Sequence, residues 1–370
     1  MDKIAFLILS TGWGGLEMNT LKLAGLFKNN KWEVSLIVSD TSVIFGESRN
    51  IFPTIALKKK SKFLGLKKAF LISSYLKENN IRILFVSDNK DLKIVSLVKR
   101  FFYKNLKVVY QQHMQIGINK KDLIHTLRYK SIDYWISPLE WLKKEVTERT
   151  NFPESKVKVI PIGVDIQKFS THTYTKKDAL QKLNINASAP LVGIIGRIAE
   201  KKGQHIIIQA VLELRKKGIA IEALIFGSPT VNDPSCMAYD KKLKQMVSDN
   251  GLTDIIHFRE FTRDVALFYN AVDIFTIATE SETYGMVTIE AMLSKLPVIG
   301  TNAGGTPEIL QNGEYGFLFE YNNVSQYCER IQDVLNHPEE TKNITDKAQE
   351  YAFIYFSQES EFQMIEALLR

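Results

Sequence analysis

Two glutamates, Glu282 and Glu290, are separated by seven residues in the stretch ESETYGMVTIEAMLSKLPVIGTNAGGTPEIL (280–310), with Gly285 between them. If a helix begins near Met286, Glu282 lies in the preceding loop and Glu290 about one turn inside, roughly 6 Å further along the axis. Two acids so placed can hold opposite ends of one elongated ligand. The amides of Gly285, Met286 and Val287 would lack intrahelical acceptors, which suits a diphosphate flanked by a sugar and a ribose. Glu290 then accepts hydrogen bonds from ribose hydroxyls and Glu282 from the sugar. A loop acid and a first-turn acid favoured by the helix dipole is the plainer reading of the same pair.

A second constellation, GRIAEKKGQHIIIQA (196–210), follows the apolar run at 191–195 and places Arg197 and Lys202 just beyond it. Ligands of open α/β sheets bind at that carboxyl edge. The planar donors of Arg and the compact charge of Lys together neutralise a diphosphate and a phosphate leaving group, although basic residues on a loop are commonly just solvated. A third feature is the loop STGWGGLE (10–17), where Gly12, Gly14 and Gly15 allow close backbone approach. It fails the dinucleotide fingerprint because the third glycine position holds Glu17, which argues against NAD or FAD.

The elements that must position these residues are short β-forming runs at 4–9, 34–38, 83–86, 108–110 and 134–136, separated by amphipathic stretches such as 18–28 and 67–77. A second series runs through 191–195, 223–226, 255–258, 274–277 and 298–300, with helical intervals at 204–215 and 241–247. This βαβα rhythm predicts two α/β domains with parallel sheets. The polar stretch QKFSTHTYTKK (167–177), after VIPIGVD, is the expected linker. The expected domains are therefore residues 1–170 and 171–349, with a C-terminal helix at about 350–370 packing back on the first.

With 370 residues, 45% hydrophobic and 24% charged, the chain can build two cores. No uncharged apolar stretch approaches the ~18 to 20 residues of a membrane span, so a soluble chain is expected. Cys236 and Cys328 make no disulfide framework and have no zinc-site neighbours, which fits a reducing cytoplasm. The net charge of +7 is compatible with nucleic acid, an anionic membrane or a phosphorylated substrate. It concentrates in KKKSKFLGLKKAF (58–70), where Lys58, Lys59, Lys60, Lys62, Phe63, Lys67 and Lys68 suggest contact with a membrane surface or, equally, a solvated face. Nucleic-acid binding is a distant alternative, because no recognised module for it is present.

Taken together, the motifs resemble family 4 of the retaining glycosyltransferases. The resemblance runs through most of the chain: GGLE, VIPIGVDIQKF, GRIAEKKG, ETYGMVTIE as the E-x7-E motif, and PVIGTNAGGTPEIL, in the family's order. It implies the GT-B fold, two Rossmann-like domains with parallel sheets facing across a central cleft. It further implies diphosphate contacts from Arg197, Lys202 and Gly15 beside Gly14, a sugar-facing Glu282 and a ribose-facing Glu290. His113 falls where many members have a histidine near the reacting sugar. The chain departs from the family at Ile162, often Asn, and at Arg259, Glu260 and Phe261, where a glycine is usual.

The activity implied by this resemblance is that of a hexosyltransferase taking a nucleotide diphosphate sugar, UDP before GDP, as donor. Its acceptor is a glycan or a lipid-linked precursor of cell-surface polysaccharide or lipopolysaccharide, reached from the cytoplasm or the inner face of the membrane. Without an evident carboxylate nucleophile, the expected route is front-face displacement with the departing diphosphate taking the acceptor's proton. No cofactor and no metal are expected, since there is no Asp-x-Asp pair to hold a cation. A nucleotide-sugar epimerase, a glycan phosphorylase or another enzyme of the same architecture is the alternative.

Overall fold

The computed structural model describes residues 2–58, 64–171 and 173–370. Its strands form two wholly parallel sheets. The first contains β1 (Lys3–Ile8), β2 (Glu33–Ser39), β3 (Thr54–Leu57), β4 (Ile83–Val86), β5 (Lys107–Gln111), β6 (Tyr134–Ser137) and β7 (Val157–Val159), in the order β3-β2-β1-β4-β5-β6-β7. The second contains β8 (Leu191–Ile195), β9 (Glu222–Phe226), β10 (Ile256–Arg259), β11 (Ile274–Ile277), β12 (Val298–Thr301) and β13 (Phe317–Phe319), in the order β10-β9-β8-β11-β12-β13.

The central strands are apolar on both faces because helices cover both faces. In β1, Ile4, Phe6 and Ile8 join one core with Phe27 and Phe362, while Ala5 and Leu7 join another with Ile72 and Leu76. This is the two-residue alternation of a strand buried on both sides. In each sheet the first strand has the next strand on one side and a later strand on the other. The switch points therefore lie between β1 and β4 and between β8 and β11, where α/β sheets open a crevice at their carboxyl ends.

The chain divides into two compact units, residues 1–163 with 358–370, and residues 164–357. The first boundary falls after Gly163 rather than at residue 170. The expected linker is in fact structured: Asp165 caps the helix Ile166–Ser170 by accepting from the Lys168 amide, and Thr175 caps the helix Lys176–Lys182. Short polar helices carry no long apolar period, which is why this stretch reads as a linker.

The C-terminal segment joins the first unit through the helix Gln358–Leu369, so the second boundary is at 357 rather than 349. Its key is Glu361, only 1% exposed, whose carboxylate accepts from the Gly163 amide (2.9 Å), Lys22 Nζ (2.9 Å) and Gln111 Nε2 (2.8 Å). A buried carboxylate is tolerated only when so fully paired. The Phe362 ring packs edge-on against Phe27 at 4.9 Å beside it.

The helix expected at 67–77 runs from Leu64 to Glu78. Lys59, Lys60, Lys62 and Phe63 lie outside the described residues. Among the described residues no helix is long and apolar enough to cross a membrane.

Candidate functional site

The second unit gathers Arg197, Lys202, Glu282 and the amides at Gly285 around the carboxyl ends of β8 and β11. After β8 the chain turns through Gly196, at φ +139°. The carbonyl of Gly196 lies so close to Gly227 that a Cβ there would be 1.8 Å away. Arg197 follows, exposed, and among the described residues its guanidinium has no ion-pair partner. The turn Glu200–Lys202 then ends on Gly203 at φ +74°, where a Cβ would lie 2.0 Å from the Ala278 carbonyl oxygen. Only glycine permits both that conformation and that approach. The basic loop is thereby pressed onto the segment leaving β11, and the Glu280 amide donates to the Lys201 carbonyl at 2.9 Å.

Lys202 and Glu282 meet across this junction. Nζ of Lys202 is 2.8 Å from Oε2 of Glu282, and the two side chains are 32% and 17% exposed. The backbone of Glu282 is fixed from the other side by the paired glycines of NAGGTPEIL. The Gly305 amide donates to the Glu282 carbonyl at 2.8 Å, and Gly304, at φ +62°, would place a Cβ 2.3 Å from that same oxygen. The downstream motif is thus a scaffold for the first glutamate.

Gly285, at φ +85°, begins the helix Met286–Leu293 where expected. Its carbonyl accepts from the Thr288 amide at 2.9 Å, while helix geometry leaves the Met286 and Val287 amides without intrahelical acceptors. Arg197, Lys202, Gln204, Thr279, Glu282 and Val287 line a slot of about 20 Å³ at this edge, which has room for about one water. Two cations, one carboxylate and a helix N-terminus therefore converge at the switch point of the second sheet. That arrangement can bind a polyanion and neutralise charge developing on it.

Glu290 sits further along the same helix, half-buried, with Oε2 accepting from the Tyr269 hydroxyl at 2.6 Å. Burial raises its pKa above the usual carboxylate range, more than the Tyr269 hydrogen bond and the charge of Lys168 lower it. Tyr269 is itself held edge-on by Phe169 and Phe268, so the carboxyl has a fixed orientation. Sequence reasoning missed this tyrosine because nothing in its spacing relates it to Glu290.

Among the departures from the family pattern, Arg259 is turned back on its own unit. Its Nη2 donates to the Asn184 carbonyl at 2.5 Å and its Nε to that of Leu183, capping the carbonyl end of the helix Lys176–Lys182.

The remaining candidates belong to the first unit. Gly14 caps the helix Gly15–Asn29, and a Cβ at Gly15 would meet nothing within 4 Å, so packing does not demand glycine there. His113 follows β5. Burial, helped by the charge of Lys22, lowers its pKa to about 3, and its Nε2 has no partner among the described residues. The imidazole is therefore neutral at ordinary pH. Asp91, missed in the sequence, holds the Leu9 amide at 2.8 Å at the carboxyl end of β1, and burial raises its pKa to about 7. Lys58 and Lys67 are exposed and Lys68 half-buried.

Two family descriptions match the chain: Glycosyltransferase Family 4 over residues 13–168 and Glycosyl transferases group 1 over residues 175–351. The chain belongs to the family 4 glycosyltransferases. Among curated relatives, D-inositol 3-phosphate glycosyltransferase of Corynebacterium urealyticum is 25% identical over 60% of the chain and 53% of its own length. The capsular polysaccharide biosynthesis glycosyltransferase CapM of Staphylococcus aureus is 28% identical over 53% of the chain and 50% of its own length. The chain thus spans about half the length of these relatives. The crystal structure of Anabaena HepE in complex with UDP superposes with a TM-score of 0.86 at 22% identity, covering 99% of each chain. The same protein in complex with UDP-glucose gives 0.80 at 21% identity, over 100% of this chain and 99% of that one. The two parallel α/β sheets are therefore those of the GT-B fold.

Proposed function

We propose that the chain transfers a sugar from a nucleotide diphosphate sugar, UDP-linked first and GDP-linked second, with retention of anomeric configuration. The observation that carries this is the convergence of Arg197, Lys202 and the Met286 and Val287 amides beside Glu282 at one sheet edge. The cations and amides meet the diphosphate, Glu282 meets sugar hydroxyls and Glu290, fixed by Tyr269, meets the ribose. HepE, of the same fold, has been crystallised with UDP and with UDP-glucose, which supports a uridine donor.

Catalysis on this reading is stabilisation of the leaving group. As the glycosidic bond breaks, charge grows on the diphosphate, and Arg197, Lys202 and the helix N-terminus are already placed to meet it without reorganisation. The acceptor hydroxyl attacks from the same face, and its proton passes to the departing phosphate oxygen. Because two side-chain cations serve the diphosphate, activity should survive excess chelator, and neither metal nor organic cofactor enters the scheme. The test is thermal stabilisation by UDP, GDP and ADP and then by their sugars, followed by NMR of the product's anomeric configuration. No stabilisation by any nucleotide diphosphate, or an inverted product, would overturn the proposal.

The acceptor class proposed is a glycan or lipid-linked precursor of surface polysaccharide, in line with the name of CapM. Residues 64–134 hold 14 Lys and Arg against 5 Asp and Glu, a net +9 where the whole chain has +7. In this region the helices Leu64–Glu78, Leu92–Leu97 and Leu123–Tyr129 and the segment Val98–Phe102 share one layer of the first unit. They expose Leu66, Phe70, Phe101, Leu123 and Ile124. Apolar side chains among basic ones suit an anionic lipid surface. Replacing Phe101, Leu123 and Ile124 with Ser should reduce cosedimentation with phosphatidylglycerol vesicles, and unchanged binding would remove the membrane from the account.

A further inference from the structure

The side chain of Gln204 lies at the heart of the candidate site, yet none of the roles above uses it. Gln204 opens the helix Gln204–Lys216, immediately after the left-handed Gly203, and is only 1% exposed. Its Nε2 donates back across the basic loop to the Arg197 carbonyl at 3.0 Å. Its Oε1 is buried with no hydrogen-bond partner among the described residues. The side chain also lines the slot that holds Arg197, Lys202 and Glu282.

Stability does not explain this residue. An unpaired buried amide oxygen is destabilising, and methionine would fill much the same volume without that cost. What the carboxamide alone supplies is the bond that closes the loop from Arg197 to Gly203. The same planar peptide group is held at its other end by the Ile198 amide, which donates to the Ser228 carbonyl at 3.0 Å. Gln204 adds the bond to the Arg197 carbonyl oxygen, so the two together fix the plane from which the Arg197 side chain departs. The Arg197 guanidinium is exposed with no ion-pair partner among the described residues, so its direction depends on its backbone. A buried carboxamide with one unpaired atom, bonded to the residue whose aim matters, is the pattern of a supporting residue at a functional site.

We infer that Gln204 is a positioning residue for Arg197: its carboxamide fixes the Arg197 peptide so that the guanidinium meets the charge that develops on the departing diphosphate. This rests on the donor reading of the same edge. Because the group acts on charge present mainly in the transition state, its loss lowers turnover more than donor affinity. One hydrogen bond of this kind corresponds to about a 10-fold change in rate.

The test is a double-mutant cycle on the full chain, with UDP-sugar turnover, donor KM and calorimetric UDP affinity measured for each protein. Gln204→Met should lower kcat about 10-fold with donor KM and UDP affinity within about 2-fold of the parent, and with the cooperative unfolding transition retained. In an Arg197→Ala background the same change should alter kcat less than about 2-fold, because the group it served is gone. An equal loss in both backgrounds, or a rise in KM at unchanged kcat, overturns the inference. Gln204→Leu, which is uncharged and has no N–H to give, should reproduce the Met result and decides the matter if Met does not fold. Failure of the parent to turn over any nucleotide sugar refutes the donor reading instead.

Discussion

Replacing Glu282 with Gln should move the affinities for nucleotide diphosphate and nucleotide sugar in opposite directions. Lys202 is 2.8 Å from the Glu282 carboxylate, so an incoming diphosphate must share or take that cation. The pair is partly screened, with the lysine side chain 32% and the glutamate 17% exposed. An interaction of about 1 kcal/mol, the upper end for accessible ion pairs, is the appropriate scale. Glutamine keeps the shape and abolishes the competition, so UDP should bind about 5-fold more tightly. The intact donor loses a charge-assisted hydrogen bond to its sugar, worth about 1.5 to 3 kcal/mol, and regains about 1 kcal/mol from the freed lysine. Its affinity should therefore fall by about 2- to 30-fold. From sequence alone, UDP affinity would be expected to stay level, since the contact with Lys202 is not visible there. Calorimetric titration of UDP and UDP-glucose into parent and variant separates the cases. Unchanged or weaker UDP binding by Glu282→Gln would refute the competition for Lys202.

Arg197→Ala should lower turnover by roughly 100- to 1,000-fold, by analogy with loss of one oxyanion donor, with a smaller effect on donor affinity; equal losses in both, measured by steady-state kinetics, would place Arg197 on the ground state instead. The buried Asp91 makes stability fall as pH rises. Its folded pKa, about 7, lies above the ordinary 3.8, so its contribution is complete below about pH 4 and is lost by about pH 7, on the order of 4 kcal/mol. Asp91→Asn should be more stable than the parent at pH 8 and lose that advantage towards pH 4 in denaturant titrations; a pH-independent difference would refute this. His113 acts with the opposite sign: its pKa, lowered to about 3, favours the fold above pH 6.5 and costs stability as pH falls below it. His113→Gln should therefore flatten the decline in unfolding midpoint between pH 6.5 and 4, and an unaltered acid limb would argue against a buried neutral imidazole.

The central strands were legible in the sequence almost to the residue: 83–86, 191–195 and 274–277 coincide with β4, β8 and β11. Being covered on both faces, they read as unbroken apolar runs. The strands not anticipated, β3, β7 and β13, all lie at sheet edges, with only one buried residue each. A half-covered edge needs few apolar side chains and carries little pattern. The site was legible where chemistry and spacing coincide, at Arg197, Lys202, Glu282 and the helix start at Met286. It was not legible where tertiary contact decides. The Lys202–Glu282 pair appears only once the loops after β8 and β11 are side by side, Tyr269 reaches Glu290 from the helix Ala266–Ala271 before β11, and the bond from Gln204 to Arg197 closes the loop after β8 on itself. Glu361 was hidden for the same reason, an acid in a C-terminal helix whose partners are Lys22, Gln111 and Gly163.

The central claim is that the donor's diphosphate lies on the carboxyl edge of the second sheet, between the loop after β8 and the helix start at Met286. Hydrogen–deuterium exchange of the full chain with and without saturating UDP tests it most directly, because bound phosphate oxygens would occupy amides that are otherwise open to water. The account predicts slowed exchange in peptides covering residues 196–204 and 282–290, and little change at the opposite, amino edge of the same sheet around 219–222. UDP binding that leaves both carboxyl-edge peptides unprotected would contradict it.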